Sequence, residues 1–163
     1  WPERVAPGIT YTMPCSTLDC VPTMLDLLDA KMPDERPLDG ISLLPLIAGK
    51  MATRPTPIPY RFLEREAAMF GSPTLALIDN EYKLLTHLSD GGAEDLLFDL
   101  DADVAETTGI LDQHPERAAW MRQYLADFVA SCRRSHVGSD YAEPYEAINA
   151  FQEITGTWAD GSP

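Results

Sequence analysis

Two arginines in the middle of the chain have a spacing that suits the binding of an anionic group. Arg61 and Arg65 occur in the segment 60–70, whose pattern predicts a β-strand. Alternation along a strand places both arginines on one face and Glu64 on the other. Two guanidinium groups on one face can bind an anion through paired hydrogen bonds, whereas ion pairing with surface carboxylates is the structural alternative.

Three carboxylates have the 1-3-5 spacing of a calcium loop: Asp99, Asp101 and Asp103. An EF-hand loop also requires Gly at position 6 and Glu at position 12, where this chain has Val104 and Ile110. We therefore expect carboxylates that are solvated, or that cap the following turn together with Glu106.

The histidines lie far apart in the sequence, at His87, His114 and His136. None has a Cys or carboxylate partner at the spacing of zinc ligands, so no zinc site is predicted. His136 lies in RRSHVGSDY, which is predicted to follow a long helix. It is a candidate for substrate binding, and an exposed loop histidine without a role is the alternative.

The composition favours a folded, acidic chain that does not bind nucleic acid. The 163 residues predict one domain, or one domain with a tail, and 45% of them are hydrophobic. Acidic residues outnumber basic ones 26 to 12, and the net charge of −14 repels nucleic acid and anionic lipid. No apolar run approaches the ~20 residues of a membrane span. The chain opens on Trp1 without a signal-peptide pattern, so we expect a processed chain or a piece of a longer one.

Two helices are predicted in the first third of the chain. Ser16 or Thr17 can cap a helix that runs to Asp29, and Pro22 should offset its first turn from the rest. One face of that helix is apolar and carries Leu18, Val21, Leu25 and Leu28. The segment ISLLPLIAGK predicts a short, largely buried helix that ends at Gly49.

The middle of the chain predicts an α+β layer, a four-stranded antiparallel sheet with one long amphipathic helix across a face. The predicted strands are Tyr60–Phe70, Thr74–Asp79, Tyr82–His87 and Asp95–Leu100. A tight hairpin is expected at Asn80-Glu81 and a looser one at Asp90-Gly91-Gly92. The helix opens at His114-Pro115, and its apolar stripe consists of Met121, Tyr124, Leu125, Phe128, Val129 and Cys132.

The pentapeptide CVPTM (20–24) lacks one residue of the motif C-x-P-x-R. In sulfatases this motif marks the cysteine that is oxidised to formylglycine, the catalytic nucleophile. Met24 supplies neither the charge nor the planar hydrogen-bonding fork of that arginine, so we interpret Cys20 as a thiol in a helical core. With Cys15 and Cys132 it makes no disulfide framework.

Six stretches, in order, are WPERVAPG, CSTLDCVPTMLDLL, RPLDGISLLPLIAGK, LIDNEYKLLT, LLFDLDADVAETTGIL and HPERAAWMRQYL. Together they resemble the C-terminal part of a formylglycine-dependent sulfatase of the arylsulfatase type, in the alkaline phosphatase-like superfamily, and the resemblance covers roughly residues 1–141. RPLDGISLLPLIAG is the most specific stretch. The family pattern D-x-x-P-T-x-L-D is matched by Asp19, Pro22, Thr23 and Asp26.

The resemblance implies an α/β parent enzyme that hydrolyses sulfate monoesters of a sulfated carbohydrate or an aryl sulfate. Formylglycine would attack sulfur while calcium stabilises the sulfate oxygens. Both groups would lie upstream of residue 1, so no catalytic or metal-binding residue is expected here, and the fragment alone would be inactive. Its partner would be the N-terminal catalytic portion, and secretion or periplasmic export is the family expectation.

The resemblance also implies an organisation and a candidate site. Residues 1–52 would end the large catalytic domain, 53–140 would form the C-terminal subdomain, and 141–163 a tail. Because that subdomain closes one side of the cleft in this family, Arg61, Arg65 and His136 are the candidate substrate-binding residues.

Two other interpretations stay open. The chain could work alone as a non-catalytic carbohydrate-binding or interaction module, for which the clustered aromatics are Tyr141, Tyr145 and Trp158. A related phosphoester hydrolase would share the architecture, although RPLDGISLLPL favours sulfatases. The sulfatase interpretation predicts an apolar patch left exposed within this chain, with contributions from Leu18, Val21, Leu25 and Leu44.

Overall fold

The computed structural model describes residues 1–32, 37–62, 75–89 and 92–139, and it contains two compact units. The first unit is Trp1–Ile58, and the second begins at Pro59. The domain limits at residues 52 and 140 stay sequence-based predictions, and the predicted tail 141–163 lies outside the described residues.

The first unit contains a short helical segment that begins as a 3-10 turn. The turn covers Thr17–Asp19, and helix α1 follows at Cys20–Leu27. Ser16 caps the turn in a capping box with Asp19, which satisfies backbone donors that have no partner within the helix. Pro22 is the third residue of α1, where its missing N–H costs little. The expected offset of the first turn is confirmed.

Helix α1 turns its apolar face outward within this chain. Val21 is 50% exposed and Met24 is 53% exposed, and Leu18 and Leu28 are exposed as well. The predicted exposed patch is confirmed for Leu18 and Val21, whereas Leu25 and Leu44 are half-buried. The expectation that Cys20 is a core thiol is wrong, because Cys20 is helical but exposed.

Helix α2 is a single turn, Leu44–Ile47, with a proline in its first turn. Leu46 is buried, and the chain leaves the helix through Gly49, whose φ of 68° is a left-handed conformation that suits glycine. The short helix ended by Gly49 is therefore confirmed.

The second unit is built on a four-stranded sheet with the order β1-β2-β3-β4. The strands are β1 at Ile58–Arg61, β2 at Leu75–Asp79, β3 at Tyr82–Ser89 and β4 at Gly92–Asp99. Strands β2, β3 and β4 pair antiparallel, and Asp79 opposite Tyr82 closes the predicted tight hairpin. Asn80 adopts a left-handed φ of 51° in that turn, which asparagine tolerates.

Two strand limits differ from the prediction. Strand β1 starts two residues earlier than expected and takes in Pro59, which an edge strand accepts because a proline there breaks no interior ladder. It ends at Arg61, Phe62 lies outside it, and 63–70 lie outside the described residues. Strand β4 starts at Gly92 because the ladder with β3 continues to the pair Ser89 and Gly92.

Helix α3, Pro115–His136, covers the sheet. It starts at Pro115 with His114 as N-cap, as predicted, but it runs through His136, which is therefore the last helical residue and not part of a loop. Helix and sheet share one apolar core, which consists of Leu77, Leu84, Leu97, Ala118, Met121 and Leu125.

Two ion pairs flank the core stripe of α3. Arg117 Nη2 lies 2.9 Å from Asp79 Oδ2, at the end of β2. Arg122 Nη1 lies 2.6 Å from Asp95 Oδ2 on β4. At 100° per residue these arginines project on opposite sides of the stripe, so the pairs fix the rotation of the helix about its axis. Within the described residues, no helix is both long enough and apolar enough to cross a membrane.

Candidate functional site

The Asp19 carboxylate is the centre of the first unit. Its side chain has no solvent exposure, and Arg54 binds both of its oxygens at 2.7 and 2.8 Å in a two-pronged ion pair. The backbone N–H groups of Ser16 and Ile41 donate to the same carboxylate at 2.8 and 2.9 Å. Three separate segments of the chain therefore meet on one side chain.

The partners of Asp19 keep it ionised. Burial opposes ionisation, but the Arg54 guanidinium and the N–H groups of Ile41 and Ser16 outweigh it and hold the pKa of Asp19 below its ordinary value. Arg54 is itself buried, and its Nε donates to the carbonyl oxygen of Thr56 at 2.7 Å. Both charges are thus paired and hydrogen-bonded, as buried charges must be.

The same face of α1 binds the segment that follows Gly40. Thr23 Oγ1 donates to the Asp19 carbonyl oxygen at 2.6 Å and accepts from the Leu43 N–H at 2.9 Å. Asp26 Oδ2 accepts the hydroxyl of Ser42. We call this set of contacts the polar clasp, which consists of Asp19, Thr23 and Asp26 on the helix, residues 40–43, and Arg54.

Gly40 is required in the clasp by space and not by backbone conformation. A Cβ at this position would lie 2.0 Å from the carbonyl oxygen of Leu18, far inside van der Waals contact. Only glycine allows the two backbones to approach so closely. Hence the most specific stretch of the sequence, RPLDGISLLPLIAG, contains the half of the clasp that packs on the helix.

The polar clasp positions segments and does not catalyse a reaction. Both oxygens of Asp19 are occupied by donors, so the carboxylate has no proton to transfer at neutral pH and no lone pair directed at a ligand. In the part of the chain that the structure describes, no three His, Cys, Asp or Glu side chains are grouped to hold a metal ion.

The aspartate-rich turn after β4 is also structural. Asp99 Oδ1 accepts from the N–H groups of Asp101 and Ala102 at 3.0 and 3.1 Å. Asp103 Oδ2 accepts from the N–H groups of Thr107 and Thr108 at 2.7 and 2.8 Å, and these bonds hold the pKa of Asp103 below its ordinary value. The expected turn-capping is confirmed for these two aspartates.

Glu106 has a different partner from the one expected. It does not cap the turn but accepts from Lys83 Nζ on β3 at 2.7 and 2.8 Å. This pair fastens the turn to the sheet, while the left-handed φ of 56° at Glu106 lets the chain reverse there.

The three candidate substrate-binding residues stay predictions. Arg61 is the last residue of β1 and is half-buried, and Arg65 lies outside the described residues. His136 is half-buried at the end of α3. Because β1 ends at Arg61, the predicted shared face of Arg61 and Arg65 has no support from a continuous strand.

The sequence indicates some residues of the polar clasp but not all of them. Asp19, Thr23 and Asp26 recur at intervals of four and three residues, which is a helical face, and they match the family pattern D-x-x-P-T-x-L-D. Arg54 was missed, since nothing in MATRPTPIP distinguishes a buried arginine from an exposed one.

The chain is similar to known proteins over the region that contains the polar clasp. A family model described as N-sulphoglucosamine sulphohydrolase, C-terminal, matches residues 1–131. Choline-sulfatase of Rhizobium meliloti is 33% identical over 109 residues, which are 66% of this chain and 20% of that protein. Arylsulfatase K of Xenopus laevis is 27% identical over 131 residues, which are 77% of this chain and 24% of that protein.

Solved structures share the fold. A Bacteroides fragilis protein described as a sulfatase aligns with a TM-score of 0.59 at 19% identity, over 80% of this chain and 28% of that one. A protein solved with its substrate, D-glucosamine-2-N,6-O-disulfate, aligns with a TM-score of 0.54 at 19% identity, over 88% of this chain and 29% of that one.

These likenesses define a class, the C-terminal part of sulfatases with the alkaline phosphatase-like fold. The chain belongs to the family of N-sulphoglucosamine sulphohydrolase C-terminal regions. Its match spans 20% and 24% of the length of the choline-sulfatase and of arylsulfatase K. The four-stranded sheet with a long helix is the C-terminal subdomain that the resemblance implied.

Proposed function

We propose that the polypeptide carrying this chain is a sulfuric ester hydrolase that cleaves sulfate monoesters. The family match over residues 1–131 carries this proposal. The matched region includes both the helical residues of the polar clasp and the segment 40–43 that they bind. In this proposal the chain supplies the C-terminal flank of the enzyme and not its nucleophile.

The apolar face of α1 supports a structural role next to the rest of the enzyme. The polar clasp occupies one side of α1, so Leu18, Val21, Met24 and Leu28 are left exposed on the other. A contiguous apolar patch on a soluble protein marks a contact surface. We propose that the catalytic portion of the same polypeptide covers this face.

Formylglycine and calcium are proposed for the parent enzyme, outside this chain. The described residues do not fit either group. Cys20 lacks the arginine four residues on that the oxidation motif requires, and no metal-binding group of His, Cys, Asp or Glu is present among them. The side chains of this chain would shape the cleft, with Arg61, Arg65 and His136 as proposed contacts to substrate.

A sulfated carbohydrate is the substrate class that we propose. The support is one structural neighbour that was solved with a sulfated glucosamine as its substrate. That likeness is one of fold, at 19% identity, so the sugar itself must be tested directly.

Activity assays separate this proposal from the alternatives. The complete polypeptide should hydrolyse 4-nitrophenyl sulfate, and the 163-residue chain alone should not. 4-Nitrophenyl phosphate serves as the matched control. Faster hydrolysis of the phosphate would favour a phosphoester hydrolase, and activity of the isolated chain would contradict the assignment of the nucleophile upstream.

Export to the periplasm or secretion stays a prediction for the parent protein. Fractionation of the producing cells, followed by detection of the complete polypeptide, tests it. Recovery in the cytoplasmic fraction alone would contradict it.

A further inference from the structure

A ring platform lies along α3 at the border between its buried and exposed sides, formed by the exposed Trp120 and the half-buried Arg117 and Tyr124. We propose that this ring platform binds one pyranose ring of a carbohydrate chain. The sugar would stack on the indole of Trp120, and a hydroxyl or sulfate oxygen would accept a hydrogen bond from Arg117.

The indole is held in place before any ligand arrives. Trp120 is 45% exposed, although it is on the helix that seals the core of the second unit. The guanidinium carbon of Arg117 lies 5.5 Å from its ring centroid, and the Tyr124 ring lies 5.8 Å away, tilted by 47°. Residues three and four apart share a helix face, so the three side chains form one row. A fixed aromatic surface loses little conformational entropy when it binds.

The cation in the row is fixed as well, and its donors exceed its acceptors. Arg117 lies over the Tyr82 ring at 4.6 Å and pairs with Asp79 at 2.9 Å. Its Nε is buried and out of reach of a ligand, but 37% of the side chain is exposed, so the donors available to a ligand are those of the terminal nitrogens. A guanidinium has five N–H donors, so an additional acceptor at the exposed edge is favourable.

The size of the ring platform favours a sugar over a protein partner. The exposed positions that surround Trp120 on the helix are small or polar, namely Glu116, Ala119, Gln123 and Asp127. The aromatic area therefore matches one ring, whereas a stable protein interface needs about 800 Å² from each partner. A pyranose presents an apolar face to an aromatic ring and acceptor oxygens at its edge, which is the pattern of this row.

Binding of a glucosamine-containing tetrasaccharide to the complete polypeptide tests the inference, with a sulfated and a desulfated form as two arms. Trp120→Ala should weaken binding of both forms about three- to tenfold, the range of an aromatic contact. Trp120→Phe should keep most of the affinity. If a sulfate oxygen is the acceptor, Arg117→Gln should weaken binding of the sulfated tetrasaccharide more than binding of the desulfated one. If a hydroxyl is the acceptor, it should weaken binding of the two forms equally. Hydrolysis of 4-nitrophenyl sulfate should not change.

Trp1→Ala is the matched control, since Trp1 is also exposed and stacked on an arginine, with the Arg4 guanidinium carbon 4.9 Å from the ring. Its loss should leave tetrasaccharide binding unchanged. Wild-type affinity in Trp120→Ala would overturn the inference, as would a change in self-association or protein binding without a change in sugar binding. The choice of sulfated sugar rests on the proposed function. If the complete polypeptide does not hydrolyse aryl sulfate, the proposed function is wrong. The tetrasaccharide binding result would still decide whether the ring platform binds sugar.

Discussion

The two units of this chain are organised in opposite ways. The second unit has an apolar core between sheet and helix, and its ion pairs lie at the rim, with side chains up to 49% exposed. The first unit has an ion pair at its centre, with side chains 1% and 0% exposed, and apolar residues of α1 outside. Among the described residues, the second unit therefore buries its apolar cluster between sheet and helix, whereas the first unit leaves the apolar face of α1 exposed.

This contrast explains why α1 does not bury its apolar face within this chain. An amphipathic helix normally buries its apolar stripe. Here the opposite face carries Asp19, Thr23 and Asp26, which satisfy the N–H groups of residues 41 and 43 and the hydroxyl of Ser42. Within this chain the hydrogen-bonding demand of an irregular segment therefore decides which face of α1 turns inward.

The largest expected effect comes from removing the charge at the centre of the first unit. Asp19→Ala leaves the buried Arg54 without its counter-ion and frees the N–H groups of Ser16 and Ile41. Loss of one partner of a buried pair costs about 3–5 kcal/mol. Urea unfolding of the protein should show this loss, and Asp26→Ala, at an exposed carboxylate, should cost far less.

The same carboxylate should make stability depend on acid pH. Because the folded-state pKa of Asp19 lies below its ordinary value of 3.8, its contribution is fully present above that value. The contribution is lost as the pH falls through the folded-state pKa. Asp19→Asn should therefore flatten the stability profile below about pH 4. If Asp19→Asn leaves the pH dependence of stability unchanged in acid, other carboxylates control that dependence.

In the second unit the large effect should come from an apolar residue. Leu84 is fully buried between β2 and β4 under α3, so Leu84→Ala should cost about 2–5 kcal/mol through lost burial and a cavity. Leu96→Ala, on the neighbouring strand but 38% exposed, is the control and should cost less than about half as much. Equal costs would contradict a closed core.

A smaller effect is expected where the clasp requires close backbone approach. Gly40→Ala places a Cβ against the Leu18 carbonyl oxygen and should cost about 1–3 kcal/mol, as overpacking does. Gly109→Ala meets no atom within 4 Å and should be neutral. Thermal unfolding of the two variants compares them directly, and a neutral Gly40→Ala would remove the steric reason for this glycine.

The smallest effect belongs to an ion pair at the rim of the second unit. Lys83 and Glu106 are 22% and 28% exposed, so Lys83→Gln should cost only about 0.5–1 kcal/mol. Added salt should shrink the difference between wild type and variant, because partly exposed pairs are screened. A cost as large as that of Asp19→Ala would contradict the claim that the partly exposed ion pair contributes less stability than the buried one.

The sequence predicted the second unit better than the first. The helical spacing of apolar residues after Pro115 predicted Met121 and Leu125 on the buried stripe, because a regular helix buries one face by period. The first unit depends on contacts between residues far apart in the sequence, such as Asp19 with Arg54 at a separation of 35, and no local period encodes them. The family motif marked Asp19, Thr23 and Asp26 without revealing which way they point. The substrate-binding candidates have no such motif, and they stay predictions.

Oxidation of methionine by dilute hydrogen peroxide tests the exposed face of α1 most directly. Met24 is 53% exposed in this chain, while Met13 and Met121, at 8% and 0%, are internal controls. Mass spectrometry of the isolated chain should find Met24 oxidised well before Met13 and Met121. In the complete polypeptide Met24 should become protected as well. Equal oxidation of Met24 in both proteins, or its protection in the isolated chain, would contradict an α1 face that the rest of the enzyme covers.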